Sequence, residues 1–321
     1  MARILITGAA GFIGSHLSER LLGRGDIVLG LDNFDPFYPR KQKEANLLPS
    51  RAQDSFQFAE VDIRDATELQ KSVRSFSPDA VVHIAAKAGV RPSILNPEEY
   101  VSVNVGGTLN LLRACEGMKL KHFIFASSSS VYGNAAKPPF QEDDVTSLPE
   151  SPYAATKKAG ELLCHTYHKL SGMPMTCLRF FTVIGPRQRP DLAIHKFVDC
   201  IENGKPLPFY GDGTAARDYT FIGDTVKGIS RALDHPAGYA IFNLGRNEPV
   251  TLSELVMTIE RVLNKKAILD RQPDQQGDVR VTCADITRAQ QAFGYSPNVS
   301  LEEGVRQFVE WWHTQHTNTQ P

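Results

Sequence analysis

The sequence predicts an α/β protein in which helices cover both faces of a parallel sheet, followed by a smaller C-terminal α/β lobe. Three observations carry this. Short apolar runs alternate with helix-length segments from Arg3 to Phe180, the signature of successive βαβ units. A glycine-rich turn, Gly8-x-x-Gly11-x-x-Gly14, joins the first strand to the first helix. The residues that carry chemistry fall at the carboxyl ends of the strands, where ligands of such sheets bind. Together they describe a Rossmann-type doubly wound sheet with right-handed crossovers.

Met1–Thr7 reads as a buried strand, and the helix His16–Leu22 that follows is closed by Gly23 and Gly25. Ile27–Leu31 is the second strand and stops at Asp32. Residues 33–52 read as a polar, proline-bearing insert containing Phe34, Phe37 and Tyr38. Phe56–Val61 ends at Asp62, and a helix over Ala66–Phe76 leads to the strand Ala80–Ile84. After Ala85–Arg91 a helix covers roughly Val101–Met118. The strand His122–Ala126 runs into Ser127-Ser128-Ser129-Ser130, the helix of Tyr153 follows, and Met175–Phe180 completes the alternation. Beyond Gly185 prolines and glycines become frequent and strands shorten, with helices expected at Leu252–Leu263 and Leu301–His313. The division is therefore 1–184 for the sheet, with some later segments returning to it, and 185–321 mainly for a lobe closing over the cleft.

Composition narrows the function. A formal charge of −1 argues against a general nucleic-acid or membrane-surface binder. The five cysteines (Cys115, Cys164, Cys177, Cys200 and Cys283) lack Cys-x-x-Cys spacing, which suits a reducing cytoplasm with neither a disulfide framework nor a zinc site. No signal-peptide pattern opens the chain, and no apolar run approaches the roughly 20 residues of a membrane span. The histidines form no metal pattern. His83 reads as a satisfied core residue and His195 as a candidate for the site wall, while Trp311 and Trp312 read as packing or interface residues.

Chemistry concentrates in Ser151-Pro152-Tyr153-Ala154-Ala155-Thr156-Lys157. Tyr153 and Lys157 are four residues apart on one helix face, with Pro152 suited to the first turn. A phenol is a poor base at neutral pH, and a fixed ammonium favours its phenolate. The pair is thus an acid/base device for a sugar hydroxyl. Ser128 at its strand end can hydrogen-bond the same substrate oxygen. The glycines of Gly8-x-x-Gly11-x-x-Gly14 permit close approach of backbone to a pyrophosphate on the helix N-terminus, and Asp32 can accept from a ribose and repel a 2′-phosphate, favouring NAD over NADP. Arg187, Arg189, Arg217 and Arg280, with Arg91, are candidates to hold a diphosphate or carboxylate; Asp218 and Asp278 are alternative partners for them.

These segments resemble the extended short-chain dehydrogenase/reductase family, specifically its NAD-dependent nucleotide-sugar epimerases. The likeness runs from the glycine motif to Leu301-Glu302-Glu303-Gly304-Val305 and Trp311, and includes Asp32-Asn33-Phe34, Ala85–Arg91, Ser127–Gly133, Tyr153–Glu161 and Arg179–Val183. Arg187-Gln188-Arg189-Pro190-Asp191-Leu192-Ala193 is similar to the stretch that distinguishes members acting on UDP-glucuronate. Ile184 and Leu192 depart from the usual tyrosine and methionine, which bears on pocket shape.

The resemblance implies 4-epimerisation of UDP-glucuronate to UDP-galacturonate through a 4-keto intermediate. Tyr153 takes the C4 hydroxyl proton, Lys157 holds the nicotinamide ribose and lowers the Tyr153 pKa, and Ser128 bridges Tyr153 and O4. Tightly bound NAD is expected against Gly8, Gly11, Phe12, Ile13 and Gly14, and against Asp32, Asn33, Asp62 and Ile63. Ala85, Ala86, Lys87, Asn104, Phe180 and Val183 complete that set with Tyr153 and Lys157. For the UDP-sugar the resemblance implies Ser129, Ser130, Thr182 and Arg189 at the carboxylate, Arg217 and Arg280 at the diphosphate, Phe209 and Tyr210 at the uracil, and Arg91 from the larger half. It also implies a homodimer built on the Val101 and Tyr153 helices. Related decarboxylases carry Glu where this chain has Ser130, and related dehydratases carry Asp-Glu at Ser129-Ser130. Two alternatives stay open: a neutral-sugar UDP epimerase or UDP-glucuronate decarboxylase, and a non-catalytic NAD-binding regulator.

Overall fold

The computed structural model describes residues 1–134, 136–273 and 279–317. Its larger sheet has seven strands: β1 (Arg3–Thr7), β2 (Ile27–Asp32), β3 (Phe56–Glu60), β4 (Ala80–His83), β5 (His122–Ser128), β6 (Met175–Phe180) and the late-arriving β10 (Tyr239–Leu244). Between β6 and β10 lie β7 (Thr182–Ile184), β8 (Pro206–Tyr210) and β9 (Ala216–Phe221). The order is β10-β6-β5-β4-β1-β2-β3, parallel at every step. Strand order reverses between β1 and β4, so a crevice opens there beyond the carboxyl ends.

Both faces of the sheet are apolar, as a parallel sheet requires. On one face α1 (Phe12–Gly23) brings Leu17 and Leu21 against Ile4, Ile6 and Val28. On the other, α3 (Ala66–Phe76, following α2 at Arg40–Arg51) brings Leu69 and Val73 against Leu5, Val81 and Phe123. His83 is buried in β4 with Thr7 Oγ1 at 2.7 Å and Thr108 Oγ1 at 2.9 Å, which satisfies both ring nitrogens as expected for a core histidine.

Two elements differ from the sequence reading. The insert after Asp32 contains the helix α2, whose run Arg40-Lys41-Gln42-Lys43-Glu44-Ala45-Asn46-Leu47 consists mostly of strong helix formers hidden between Pro39 and Pro49. The segment expected as one helix over roughly Val101–Met118 is a π-helical stretch Val101–Gly107 continued by a short α-helix, and two further short helices, α4 (Val90–Leu95) and α5 (Pro97–Tyr100), precede it; the continuation is α6 (Thr108–Ala114). Gly107 packs so closely on Ile63 that an added Cβ would lie 2.5 Å from its side chain. α7 (Pro152–Ser171) is well delimited: Ser151 Oγ accepts from Ala154 N at 3.2 Å, Pro152 opens the first turn, and Gly172 ends it at φ +71°.

The remaining elements are α8 (Ala193–Glu202), α9 (Ile222–Leu233), β11 (Pro249–Thr251), α10 (Leu252–Leu263), β12 (Ile268–Gln272), α11 (Thr287–Phe293) and α12 (Leu301–Thr317). α9 packs with α1 on the large sheet through Ile229 and Ala232. Strands β11, β9 and β7 form a small sheet, and β12 pairs with β8. A separate core gathers Phe197, Leu207, Phe209, Leu255, Ile259, Phe308 and Trp312. Asp218, fully buried on β9, accepts backbone N–H bonds from Arg246, Asn247 and Ala284 at 2.7, 2.9 and 2.9 Å. It thereby ties three segments together instead of pairing with an arginine side chain. Gly277 and Asp278 lie outside the described residues. Among the described residues no helix is long and apolar enough to cross a membrane, and no cluster of His, Cys, Asp or Glu could hold a metal ion.

Candidate active site

A cleft of about 480 Å³ opens at the carboxyl ends of β1, β2, β4, β5 and β6. The glycine turn forms its floor. Gly8 sits at φ +74°, and a Cβ on Gly14 would lie 2.1 Å from the Gly8 carbonyl oxygen. Gly11 precedes α1 without a side-chain cap, and the helix has no acidic residue in its first turn, so its free N–H groups face an uncrowded, anion-favouring space. Asp32 accepts from Ala10 N (3.1 Å) and Phe34 N (2.8 Å). Burial pushes its carboxyl up, opposed first by the nearby Lys43 ammonium.

The opposite wall comes from β5 and α7. The Ser128 hydroxyl lies close enough to the Tyr153 phenol to favour its ionised form, and Ser128 Oγ donates to Ser130 Oγ at 3.2 Å within the turn Ser129–Tyr132. Burial raises the Tyr153 pKa, while Ser128 and then the Arg189 cation act to lower it. Arg189 is held by Asp191 at 2.8 Å and lies over the Phe37 ring at 5.3 Å. Lys157 does not act as expected on Tyr153. Its ammonium turns down the helix and donates to Ala126 O at 2.7 Å, so the cation acting on the phenol is Arg189.

Burial alone lowers the Lys157 pKa from 10.5 to about 8. Between those values the unfolded chain binds a proton that the folded chain does not, so stability rises with pH across the window and the full penalty is present below about 8. In cofactor-free protein Lys157→Met is therefore expected to raise stability at pH 7 by on the order of 1–2 kcal/mol, after the unpaired Ala126 carbonyl is counted. The advantage should fade as pH approaches 10.5. Urea midpoints of both proteins across that range test it, and a less stable variant at pH 7 would refute the assignment.

Nearly all the cofactor candidates meet at this cleft: Gly8, Gly11, Phe12, Ile13, Gly14, Asp32, Asn33, Asp62, Ile63, Ala85, Ala86, Lys87, Phe180 and Val183 line it with Tyr153 and Lys157. Asn104 stands behind the wall, where its amide brackets Lys87 by bonds to the backbone N (2.8 Å) and O (3.0 Å). Asn33 donates to Asp62 at 2.9 Å, and Arg64 holds the Asp62 carboxyl down to about 2. Of the substrate candidates, Ser128, Ser129, Ser130, Thr182 and Arg189 line the cleft.

The others gather in two further places. The Arg91 guanidinium lies 5.3 Å from the Tyr210 ring centroid. Arg217 Nη1 donates to Ala216 O at 2.9 Å and Arg280 O at 3.4 Å, which sets these two arginines side by side. Phe209 has its ring buried in the C-terminal core rather than turned to a ligand. Arg187 pairs with Glu19 of α1 at 2.5 Å and so serves the inter-element packing, not the cleft wall. His195 packs its ring on Phe308 and Trp311, away from the cleft lining. Leu192 lines the cleft, whereas Ile184 is buried against the C-terminal core.

Sequence reasoning missed Asp35 and Lys43. The Lys43 ammonium donates to Asp35 O at 2.8 Å, and Asp35 bonds Lys87 across the cleft at 3.0 Å. For Lys43 the signal was present in the helix-forming run of α2, obscured by Pro36, Pro39 and Pro49.

Comparison with known proteins agrees with this geometry. Residues 5–308 match the family model described as GDP-mannose 4,6 dehydratase. A UDP-glucuronate 4-epimerase of Thermodesulfobacterium geofontis is 42% identical over 97% of this chain and 96% of its own. UDP-glucuronate 4-epimerase 4 of Arabidopsis thaliana is 44% identical over 96% of this chain and 75% of its own. The UDP-glucuronic acid 4-epimerase of Bacillus cereus, solved with UDP-glucuronic acid and NAD, superposes with a TM-score of 0.92 at 38% identity, covering 98% of this chain and 99% of that one. With a glycine cradle, a Tyr-x-x-x-Lys helix and full-length likeness all in agreement, the chain belongs to the NAD-dependent nucleotide-sugar epimerases of the extended short-chain dehydrogenase/reductase family.

Proposed function

We propose that this protein interconverts UDP-glucuronate and UDP-galacturonate by NAD-dependent 4-epimerisation, retaining the carboxylate. The observation that carries the reading is the convergence of Tyr153, Ser128 and Lys157 on one wall of a cleft whose floor is a glycine cradle. The residues present fit NAD: no Cβ obstructs the turn at Gly8 or Gly14, the α1 N-terminus is uncapped, and Asp32 ends β2. When bound, NAD supplies the hydride acceptor and donor at C4.

The chain's own residues do the rest. Tyr153 accepts the O4 proton and returns it after the sugar has turned over, with Ser128 bridging phenol and O4. Lys157 meets the nicotinamide ribose. A 4-keto uronate is a β-keto acid that loses carbon dioxide when its carboxylate aligns with the carbonyl π system. Ser129, Ser130, Thr182 and Arg189 hold that carboxylate out of alignment. The run Ser127–Ser130 carries no acid to drive the elimination that a dehydratase performs, which supports epimerisation despite the name of the family model. Arg217 and Arg280 take the diphosphate and Tyr210 the uracil end, with Phe209 supporting the segment from its core position. Residues 1–184 form the NAD-binding half, joined by later segments, and 185–321 mainly the UDP-sugar half.

Two copies pair through the Val101 and α7 helices, where Val101 and Leu162 remain 53% and 57% exposed. Five free thiols suit a reducing cytoplasm.

The test is to incubate the purified protein, without added NAD, with UDP-glucuronate and resolve products by NMR. UDP-galacturonate without a pentose product is expected. UDP-xylose or its 4-keto precursor would overturn carboxylate protection, and turnover of neutral UDP-sugars alone would move the reading to the neutral-sugar epimerases.

A further inference from the structure

Three consecutive residues at the end of β5 meet three consecutive turns of α7, two of them through hydrogen bonds. Ser128 meets Tyr153, Ala126 O accepts from Lys157, and Ser127 Oγ donates to Glu161 Oε1 at 2.7 Å. Tyr153, Lys157 and Glu161 are spaced four residues apart, so they share one face of the helix. The first two contacts belong to the chemistry proposed above, but the third does not reach the cleft. Glu161 is 1% exposed and absent from the cleft lining, although Ser127 itself touches the wall.

Glu161 is itself clamped. Arg179, also 1% exposed, donates Nε to Oε1 at 2.8 Å and Nη2 to Oε2 at 2.9 Å. Arg179 lies on β6 directly opposite Ser127 in the strand register. Its guanidinium also stacks 4.7 Å from the centroid of Tyr132, the last residue of the turn that carries Ser129 and Ser130. The Tyr132 hydroxyl is anchored to Asn243 Oδ1 on β10 at 2.7 Å. A bidentate buried pair is a stiff, directional joint, costly to break from one side. Fold stability alone does not require one here, since apolar residues of similar volume serve a core as well or better.

We propose that Glu161, locked by Arg179, is a positioning residue that holds Ser128 in register with Tyr153 through the hydroxyl of Ser127. The inference rests on the epimerase reading. The joint fixes helix to strand one turn beyond the reacting groups, so its loss slackens the Ser128–Tyr153 contact without removing any group that binds the UDP-sugar. Its signature is thus a fall in kcat at constant KM, the mark of an interaction that matters after the substrate has bound.

Ser127→Ala is the sharpest probe, because it cuts the link to the strand while leaving Glu161 and Arg179 paired. In holoenzyme turning over UDP-glucuronate we expect kcat to fall about 10-fold or more with KM within about twofold of the parent. Ser127→Thr, which keeps the hydroxyl, should recover activity to within about threefold of the parent. Glu161→Gln should lower kcat in the same sense, but it breaks a buried pair, so a failure to fold there leaves the serine variants to decide. A Ser127→Ala enzyme with parental kcat, a KM that rises in step, or a threonine variant that does not recover would overturn the positioning role. Parental turnover of UDP-glucuronate is the control: its absence sinks the epimerase reading, whereas its presence beside an unaffected Ser127→Ala sinks the joint alone.

Discussion

Tyr153→Phe is expected to lower kcat by roughly 10²–10⁴-fold while leaving NAD content and KM nearly unchanged. The substitution removes one oxygen from a ring that keeps its edge-on packing against Tyr100, at 6.3 Å between centroids. What is lost is the phenol oxygen that takes the O4 proton in the proposed mechanism. Burial opposes the phenolate, and Ser128 and Arg189 favour it, so the residue is poised by neighbours that the substitution leaves intact. Product formation by chromatography, with NAD released by denaturation and quantified, makes the comparison. Activity within tenfold of the parent would remove Tyr153 from the mechanism and restore the idea of a non-catalytic binder.

Gly14→Ala is expected to abolish cofactor retention. The new methyl would stand 2.1 Å from Gly8 O, 2.8 Å from Gly8 C and 2.9 Å from Ala9 Cα, all backbone atoms with no rotamer to yield. Relief requires α1 to move off the β1 turn, which withdraws the uncapped N–H groups from the diphosphate position and opens the packing of Leu17 and Leu21. Overpacking of this kind costs about 1–3 kcal/mol where side chains can adjust, and more against backbone. The purified variant should carry less than about a tenth of the parent's NAD and lose activity in proportion. Parental NAD content would show that the cradle is softer than its geometry implies.

The sheet was legible because its signals are local: apolar strands, a glycine turn at a required position and a capped helix at Ser151-Pro152. Helix α2 was not, because Pro36, Pro39 and Pro49 suggest a loop, although a proline just ahead of a helix, like Pro39, is compatible with it. The π-helical stretch at Val101–Gly107 was equally hidden, since it depends on tertiary packing of Gly107 on Ile63. At the site, Tyr153, Lys157, Ser128 and Asp32 could be placed from strand ends and helix spacing. The direction of the Lys157 ammonium could not, because it is set by the Ala126 carbonyl on another element. Nor could the sorting of the arginines: Arg187 meets a glutamate distant in sequence, Glu19, and among the described residues Arg189 is the arginine that lines the cleft.

The position of β10 in the large sheet carries a consequence for how the chain is made. Strand β6 is complete at Phe180, yet its outer edge finds its partner only when Tyr239–Leu244 arrives, in register from Met175 to Phe180. A nascent chain emerging from the ribosome therefore displays an unpaired, apolar edge while some sixty further residues are translated. Bare edges of that kind recruit other strands. Fragments ending before Leu244 would expose this edge permanently and should precipitate, which sets the practical limit for any C-terminal truncation of the sheet.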